Sequence, residues 1–272
     1  MRIETPRERA FGAVLAHAPE YGDAELRELG SGLDHRAFLV RDLVVRLADH
    51  ASPAAVLAEA ELLQLLNRRV SVPVPTPVFA DPVRGALGYR LLPGRPLLDR
   101  EPPRGLATRL GRLLRDLHDV DPSEVAECVP VDPALPDEWL DDLTGPSQLL
   151  QIVHTQRPRS AQDLVLTHAD LGAEHILEHD GELSGIIDWS DAAITDPALD
   201  FTRLYRDFGP TFLDQALLAY GTDSADFRGR ITFFARCAAL EDIAYGQASG
   251  RAAYLRAAQR SLSWLFPPQG GS

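Results

Sequence analysis

The chain has 272 residues, of which 45% are hydrophobic and 25% charged, ordinary globular values that exclude disorder over most of its length. Its 27 basic against 40 acidic side chains leave a formal charge of −13, which repels nucleic acid and anionic lipid and favours cationic ligands. Two isolated cysteines, Cys128 and Cys237, follow no CxxC spacing, so neither a disulfide framework nor a thiolate zinc site is suggested, and a reduced cytoplasm fits.

At this length one large domain or two lobes sharing a cleft are expected. The start, MRIETPRERAFG, has no apolar signal region, and no run approaches the roughly 18 apolar residues of a membrane helix. A first helix is predicted over RERAFGAVLAHA. LRELGSGLDHRAFLVRDLVVRLA then reads as strand, glycine turn, strand, tight turn, strand, because apolar and β-branched residues recur on either side of Gly30, Ser31 and Gly32. SPAAVLAEAELLQLLNRR sets Val56, Leu63 and Leu66 at helical spacing, with Ser52 and Pro53 as N-cap and first-turn pair and with Arg68 and Arg69 suiting its end. VPVPTPVF is held extended by its prolines. GYRLLPGRPL supplies one more strand before Pro93-Gly94 breaks the pattern, a natural boundary between residues 1–92 and 93–272.

Leu106, Leu110, Leu113, Leu114 and Leu117 trace one face of a helix over RGLATRLGRLLRDLHDV, where His118 reads as a packing residue. Residues 121–160, rich in Pro and Asp, are expected to form short helices and loops. DLVLTH, HILE and LSGIIDW read as strands, the last two joined by the hairpin pair Asp180-Gly181. Helices follow over DPALDFTRLYRDFG, with Asp196 and Pro197 as N-cap and first position, then over TFLDQALLAYG, DFRGRITFFARCAALEDIAYGQ and RAAYLRAAQRSLSWLF. A Pro/Gly-rich tail follows Phe266, and no internal repeat is visible.

LTHADLGAEHILEHDGELSGIIDWSD crowds three histidines and several carboxylates around that hairpin. It can be a solvated turn or a metal and phosphate site. His168-Ala169-Asp170 stands where a strand ends, His175 follows shortly after, and Asp188 closes the hairpin, so oxygen and nitrogen donors can converge on one cleft edge. Phosphoryl transfer needs such a set: a carboxylate for the attacking hydroxyl, groups holding Mg²⁺ on the phosphates, and a loop covering them.

In order and spacing, HADLGAEH and GIIDWSDAAITDPALDF resemble the antibiotic phosphotransferases, the aminoglycoside and macrolide kinases that share the protein-kinase fold. Their catalytic loop reads H-G-D-x-x-x-x-N, with His for the last Asn in some branches, followed by a hairpin and I-D-[WF]. The resemblance implies an α+β, two-lobed protein-kinase-like fold. A small antiparallel-sheet, nucleotide-binding lobe would span residues 1–92, and a larger, mainly helical catalytic and substrate-binding lobe residues 93–272. It further implies Mg²⁺-dependent transfer of the γ-phosphate of ATP or GTP to a hydroxyl of a small cationic antibiotic, by a cytoplasmic monomer or homodimer without nucleic-acid or membrane partners.

By the same resemblance Asp170 is the catalytic base or hydroxyl-orienting carboxylate, and His175 and Asp188 are the Mg²⁺ ligands. His168 braces the loop and Asp200 accepts from its amides. Gly30, Ser31 and Gly32 match the phosphate-covering loop, without the third glycine of G-x-G-x-x-G. Arg46 stands in the place of the family's strand lysine, with Glu59 as its partner. Tyr89, Arg90, Leu91 and Leu92 form the hinge against the base. Asp191, Glu241 and Asp242 are candidate contacts for substrate amines, a solvated acidic face being the plainer reading of the last two, while Trp189 reads as packing. Rival readings are a metabolic kinase of choline, homoserine or a sugar, and a nucleotide-binding pseudokinase, which the short glycine loop and Arg46 invite. A zinc hydrolase built on His168, Asp170 and His175 would make the order from Gly30 to Asp188 a coincidence.

Overall fold

The computed structural model describes residues 4–31, 35–48, 53–250 and 252–268. Thr5 begins the first helix, α1 (Pro6–His17), through a capping box: its hydroxyl accepts from the Glu8 amide, and the Glu8 carboxylate accepts from the Thr5 amide. Next comes an antiparallel sheet of β1 (Arg27–Ser31), β2 (His35–Val40), β3 (Leu43–Ala48), β4 (Pro77–Asp81) and β5 (Ala86–Arg90), in the order β1-β2-β3-β5-β4. Its strands alternate faces. Leu43, Val45 and Leu47 join Ala10, Ala13 and Val14 of α1 in one apolar cluster, which leaves Val44 and Arg46 on the opposite side. Helix α2 (Pro53–Arg69) buries Val56, Leu63 and Leu66, together with Leu87 of β5, in a second and larger core. Gly32 and Ser52 lie outside the described residues.

Beyond the sheet, β6 (Arg95–Pro96) leads into α3 (Leu106–His118), whose five leucines of the expected stripe are all buried. The short α4 (Glu138–Asp141) and α5 (Ser147–Thr155) follow. Then β7 (Val165–Thr167), β8 (Ile176–His179), β9 (Glu182–Ile186) and β10 (Ala193–Thr195) precede α6 (Leu199–Phe208), α7 (Pro210–Tyr220), α8 (Ala225–Ser249) and α9 (Ala252–Leu265). Asp180 and Gly181 have φ of 52° and 81°, the paired positive values of a type I′ turn, and so close the β8-β9 hairpin. Helices α3 and α7 approach so closely that a side chain at Gly111 would strike the carbonyl of Ala216.

Two elements escape sequence periodicity because they are only two and three residues long: β6 joins β8 and β9 in a separate sheet, and β10 pairs with β7. Between those small sheets lies the 168–175 segment. One expectation needs correcting. Helix α6 starts at Leu199 with Ala198 as its cap, two residues later than a cap at Asp196 with Pro197 at the first position implies; Asp196 accepts from the Ala198 amide at 2.9 Å and pairs with Arg230 Nε at 2.8 Å, which ties this buried carboxylate to α8.

Candidate active site

The chain leaves β7 into His168, which is fully buried. Its Nε2 bonds the Ile187 carbonyl at 3.0 Å, and its Nδ1 faces the Asp170 amide at 3.3 Å, an arrangement that protonates Nε2 and leaves Nδ1 to accept. Burial, reinforced by His175, lowers its pKa and keeps the ring neutral. Ala169 follows with φ of 65°, a left-handed conformation that costs a residue other than glycine about 1 kcal/mol. Asp200 on α6 holds it there: one carboxylate oxygen accepts from the His168 amide at 3.1 Å and the other from the Ala169 amide at 2.8 Å.

Asp200 is itself braced. His118 Nε2 lies 3.0 Å from its Oδ2, and His118 Nδ1 lies 2.9 Å from the Tyr220 hydroxyl. His118 is thus buried, as a packing residue would be, yet it also connects α3 and α7 to the turn before Asp170. Nothing local reveals such a contact, since the two partners are 82 residues apart.

His175 donates from Nδ1 to the Asp170 carbonyl at 2.7 Å, which turns Nε2 toward Asp188 Oδ2, 3.8 Å away. Burial would lower its pKa, but Glu174, Asp170 and Asp188 raise it above the ordinary value. Asp188, at φ of 64°, accepts through Oδ1 from Ser190 Oγ at 2.9 Å and from Arg46 Nη1 at 3.1 Å. The other terminal nitrogen of Arg46 pairs with Glu59 of α2. Burial opposes the charge on Arg46, but Glu59 and Asp188 outweigh it and raise its pKa; burial likewise pushes the Glu59 carboxyl up, with Arg46 pulling against it.

This geometry brings Asp170, His175, Asp188, Arg46 and Glu59 to one cleft edge. It treats the remaining candidates unequally. Tyr89 faces the same charges, its phenol pushed up to about 12 by burial. Arg90 instead bonds Asp42 at 2.6 Å and meets the Tyr21 hydroxyl, on the α1 side of the sheet. Leu91 is exposed, and Leu92 packs over Gly185 of the hairpin. The backbones of Gly30 and Ser31 pair with Ala37 and Arg36. Asp191 lines a cavity of about 370 Å³ together with Arg46, Glu59, Leu62 and Trp189, and Trp189 is also anchored by its indole N–H on the Ile186 carbonyl. Glu241 is exposed on α8, whereas Asp242 is drawn into ion pairs with Arg206 and, at 3.8 Å, with Arg203.

Two residues that the sequence did not single out lie under the loop. Arg203 pairs through Nε with Asp170 Oδ1. Arg206, only 1% exposed, bonds Asp207 at 2.8 Å, pairs with Asp242 and lies 3.7 Å from Glu174. Among the described residues no group of three or more His, Cys, Asp or Glu side chains can hold a metal. His175 Nε2 and Asp188 Oδ2 are a two-donor set, which fits a cation that takes its other ligands from phosphate and water oxygens, as Mg²⁺ does. No helix among the described residues is long and apolar enough to cross a membrane.

Known proteins share this fold. A viomycin phosphotransferase of Streptomyces vinaceus is 28% identical over 182 residues, which are 58% of this chain and 63% of that protein, so the match spans less than two thirds of the relative. The GDP and kanamycin complex of an aminoglycoside phosphotransferase superimposes with a TM-score of 0.75 at 23% identity, covering 92% of this chain and 95% of the other. A macrolide 2'-phosphotransferase from Brachybacterium faecium, solved as apoenzyme, gives 0.66 at 26% identity over 96% and 99% of the two chains. The kinase-like α+β fold is therefore shared with these enzymes, and with residues 25–231, well over half its length, matching that family, the chain belongs to the Phosphotransferase enzyme family.

Proposed function

We propose that this protein transfers the γ-phosphoryl group of ATP or GTP to a hydroxyl of a small cationic antibiotic, an aminoglycoside or a macrolide. The observation that carries the reading is the convergence of Arg46, Asp170, His175 and Asp188, the first and last of them 142 residues apart, on one cleft edge. In it Asp170 orients the attacking hydroxyl and receives its proton. Arg46, steadied by Glu59, faces the phosphates, and His175 with Asp188 would hold Mg²⁺, which when bound neutralises developing charge on the phosphate oxygens. Tyr89 to Leu92 would border the base, and Gly30 to Gly32 the phosphates. The exposed carboxylates of Asp191 and Glu241 would meet acceptor ammonium groups, whereas Asp242 serves the arginines beside it. The nucleotide-binding part would then end at Leu92. Solved relatives carrying GDP with kanamycin, and ATP with streptomycin, support a purine nucleotide donor and a polycationic acceptor.

Initial rates of nucleotide turnover with kanamycin, viomycin, a macrolide and choline test this, and turnover is expected with at least one antibiotic. Turnover with choline alone would make the protein a metabolic kinase. Nucleotide binding without turnover on any acceptor would make it a pseudokinase.

The pH dependence follows from His175. Its raised pKa stabilises the metal-free fold fully below the ordinary histidine value of about 6.5, and that contribution is lost as pH rises through the raised value. Cation binding runs the other way, because the ligand must be neutral. The Mg²⁺ concentration giving half-maximal rate should therefore climb as pH is lowered from about 8 to 5.5 in the wild type, but not in His175→Asn, whose amide does not titrate in that range. Equal Mg²⁺ requirements for the two proteins at every pH would remove His175 from the metal site.

A further inference from the structure

Asp200, Arg203 and Asp207 stand at spacings of three and four on α6 and so share one stripe of that helix. Each holds a different point of the loop above. Asp200 accepts from the His168 and Ala169 amides, Asp207 accepts from the Ala173 amide at 2.8 Å, and Arg203 holds the side chain of Asp170 itself. Backbone and side chain of the loop are thus set by a single helix face.

The two oxygens of Asp170 are in different surroundings. Oδ1 is sealed from solvent against Arg203, whereas the side chain as a whole keeps 21% of its surface exposed. Oδ2 lies 3.5 Å from His175 Nδ1 and remains on the cleft side. Turning Oδ1 out of that buried contact would give up its ion pair with Arg203, so the carboxylate keeps its rotamer and its second oxygen a preferred direction. Arg203 in turn leans on Asp242 of α8, which also pairs with Arg206.

We infer that Arg203 is a positioning residue for phosphoryl transfer: it fastens Asp170 Oδ1 and thereby presents Oδ2 to the acceptor hydroxyl. The inference rests on the assignment of Asp170 to the acceptor hydroxyl. It gives the α6 stripe a function in the reaction as well as in the fold, and it makes the place at which arginine holds its charge, with Nε on Asp170 and Nη1 toward Asp242, the property required at this position, not positive charge alone.

The test compares Arg203→Ala, Arg203→Gln and Arg203→Lys, with kanamycin as acceptor and slow hydrolysis by water as the acceptor-free readout. Arg203→Ala should lower kcat by roughly tenfold to hundredfold, the scale of a misplaced reacting group, and leave the KM for nucleotide unchanged. Arg203→Lys should lose most of that rate despite keeping its charge. Because Arg203 is 24% exposed, added guanidinium ion can reach the vacated space and should restore part of the kcat of Arg203→Ala, but none of that of Arg203→Lys. Should the alanine variant fail to fold, Arg203→Gln carries the same comparison. In an Asp170→Asn background the Arg203 substitutions should have no further effect, since the group they position is gone. Wild-type kcat in Arg203→Ala, or an equal fold-loss with Asp170 and with Asn at that position, would overturn the inference. Full turnover in Asp170→Asn alone would instead overturn the assignment of Asp170, which separates the two failures.

Discussion

Asp170→Asn is expected to lower turnover by roughly a hundredfold to ten-thousandfold, the range for loss of a positioned acid-base group, while Mg-nucleotide affinity stays near the wild-type value. The substitution keeps the shape of the side chain and its backbone contacts with His168 and His175, so the loop has no steric reason to move. It removes the charge that pairs with Arg203 and, on the proposed role of Asp170, the acceptor for the hydroxyl proton. The groups proposed to face the nucleotide keep their contacts, because Arg46 pairs with Glu59 and Asp188. Steady-state rates, with calorimetric titration of the nucleotide, give the two numbers. Unchanged turnover, or a parallel collapse of nucleotide binding, would show that Asp170 acts in the fold and not on the acceptor.

The second large effect is on stability. Arg206→Met should cost about 3–5 kcal/mol of unfolding free energy, the penalty for removing one partner of a buried ionic cluster. Methionine can fill much of the same volume, so the loss comes from charge: Asp207 at 3% exposure, Glu174 at 11% and Asp242 at 13% are left facing one another without their shared cation. Burial opposes ionisation of Glu174, yet Arg206, followed by His175 and Arg203, still holds its pKa below the usual carboxylate value, so losing Arg206 removes the largest of these attractions. Urea unfolding of the two proteins measures the difference. A change below about 1 kcal/mol, the scale of an exposed pair, would mean that the cluster is solvated and contributes little.

These charges also mark how far the sequence could be read. Repeating local patterns were legible: the leucine stripe of α3, the Asp180-Gly181 turn and the spacing from His168 to Asp188 each express a helical, strand or loop geometry within a few residues. The pairing of Arg46 with Glu59 was legible only through family resemblance. Arg203, Arg206 and the contact of His118 with Asp200 were not, because their partners come from other elements and no periodicity ties position 206 to position 242. Asp196 misled for a related reason. A carboxylate ahead of a proline reads as a helix cap until Arg230, from α8, is seen to hold it. Arg90 was expected at the hinge, but its side chain turns to Asp42 on the far face, because alternation along β5 sends neighbours to opposite sides.

Arg46 has a consequence for the thermodynamics of recognition. Its guanidinium grips Glu59 on α2 and Asp188 at the end of the hairpin at once, so the sheet and the helical part are aligned before any ligand arrives. The entropy lost in bringing them together belongs to folding and is not charged again to each binding event. A donor arriving at such a site meets a cleft already in register. Its association should then be governed by desolvation and charge, with little rearrangement of the backbone, and should carry the small heat-capacity change of rigid docking, not the large one of coupled ordering.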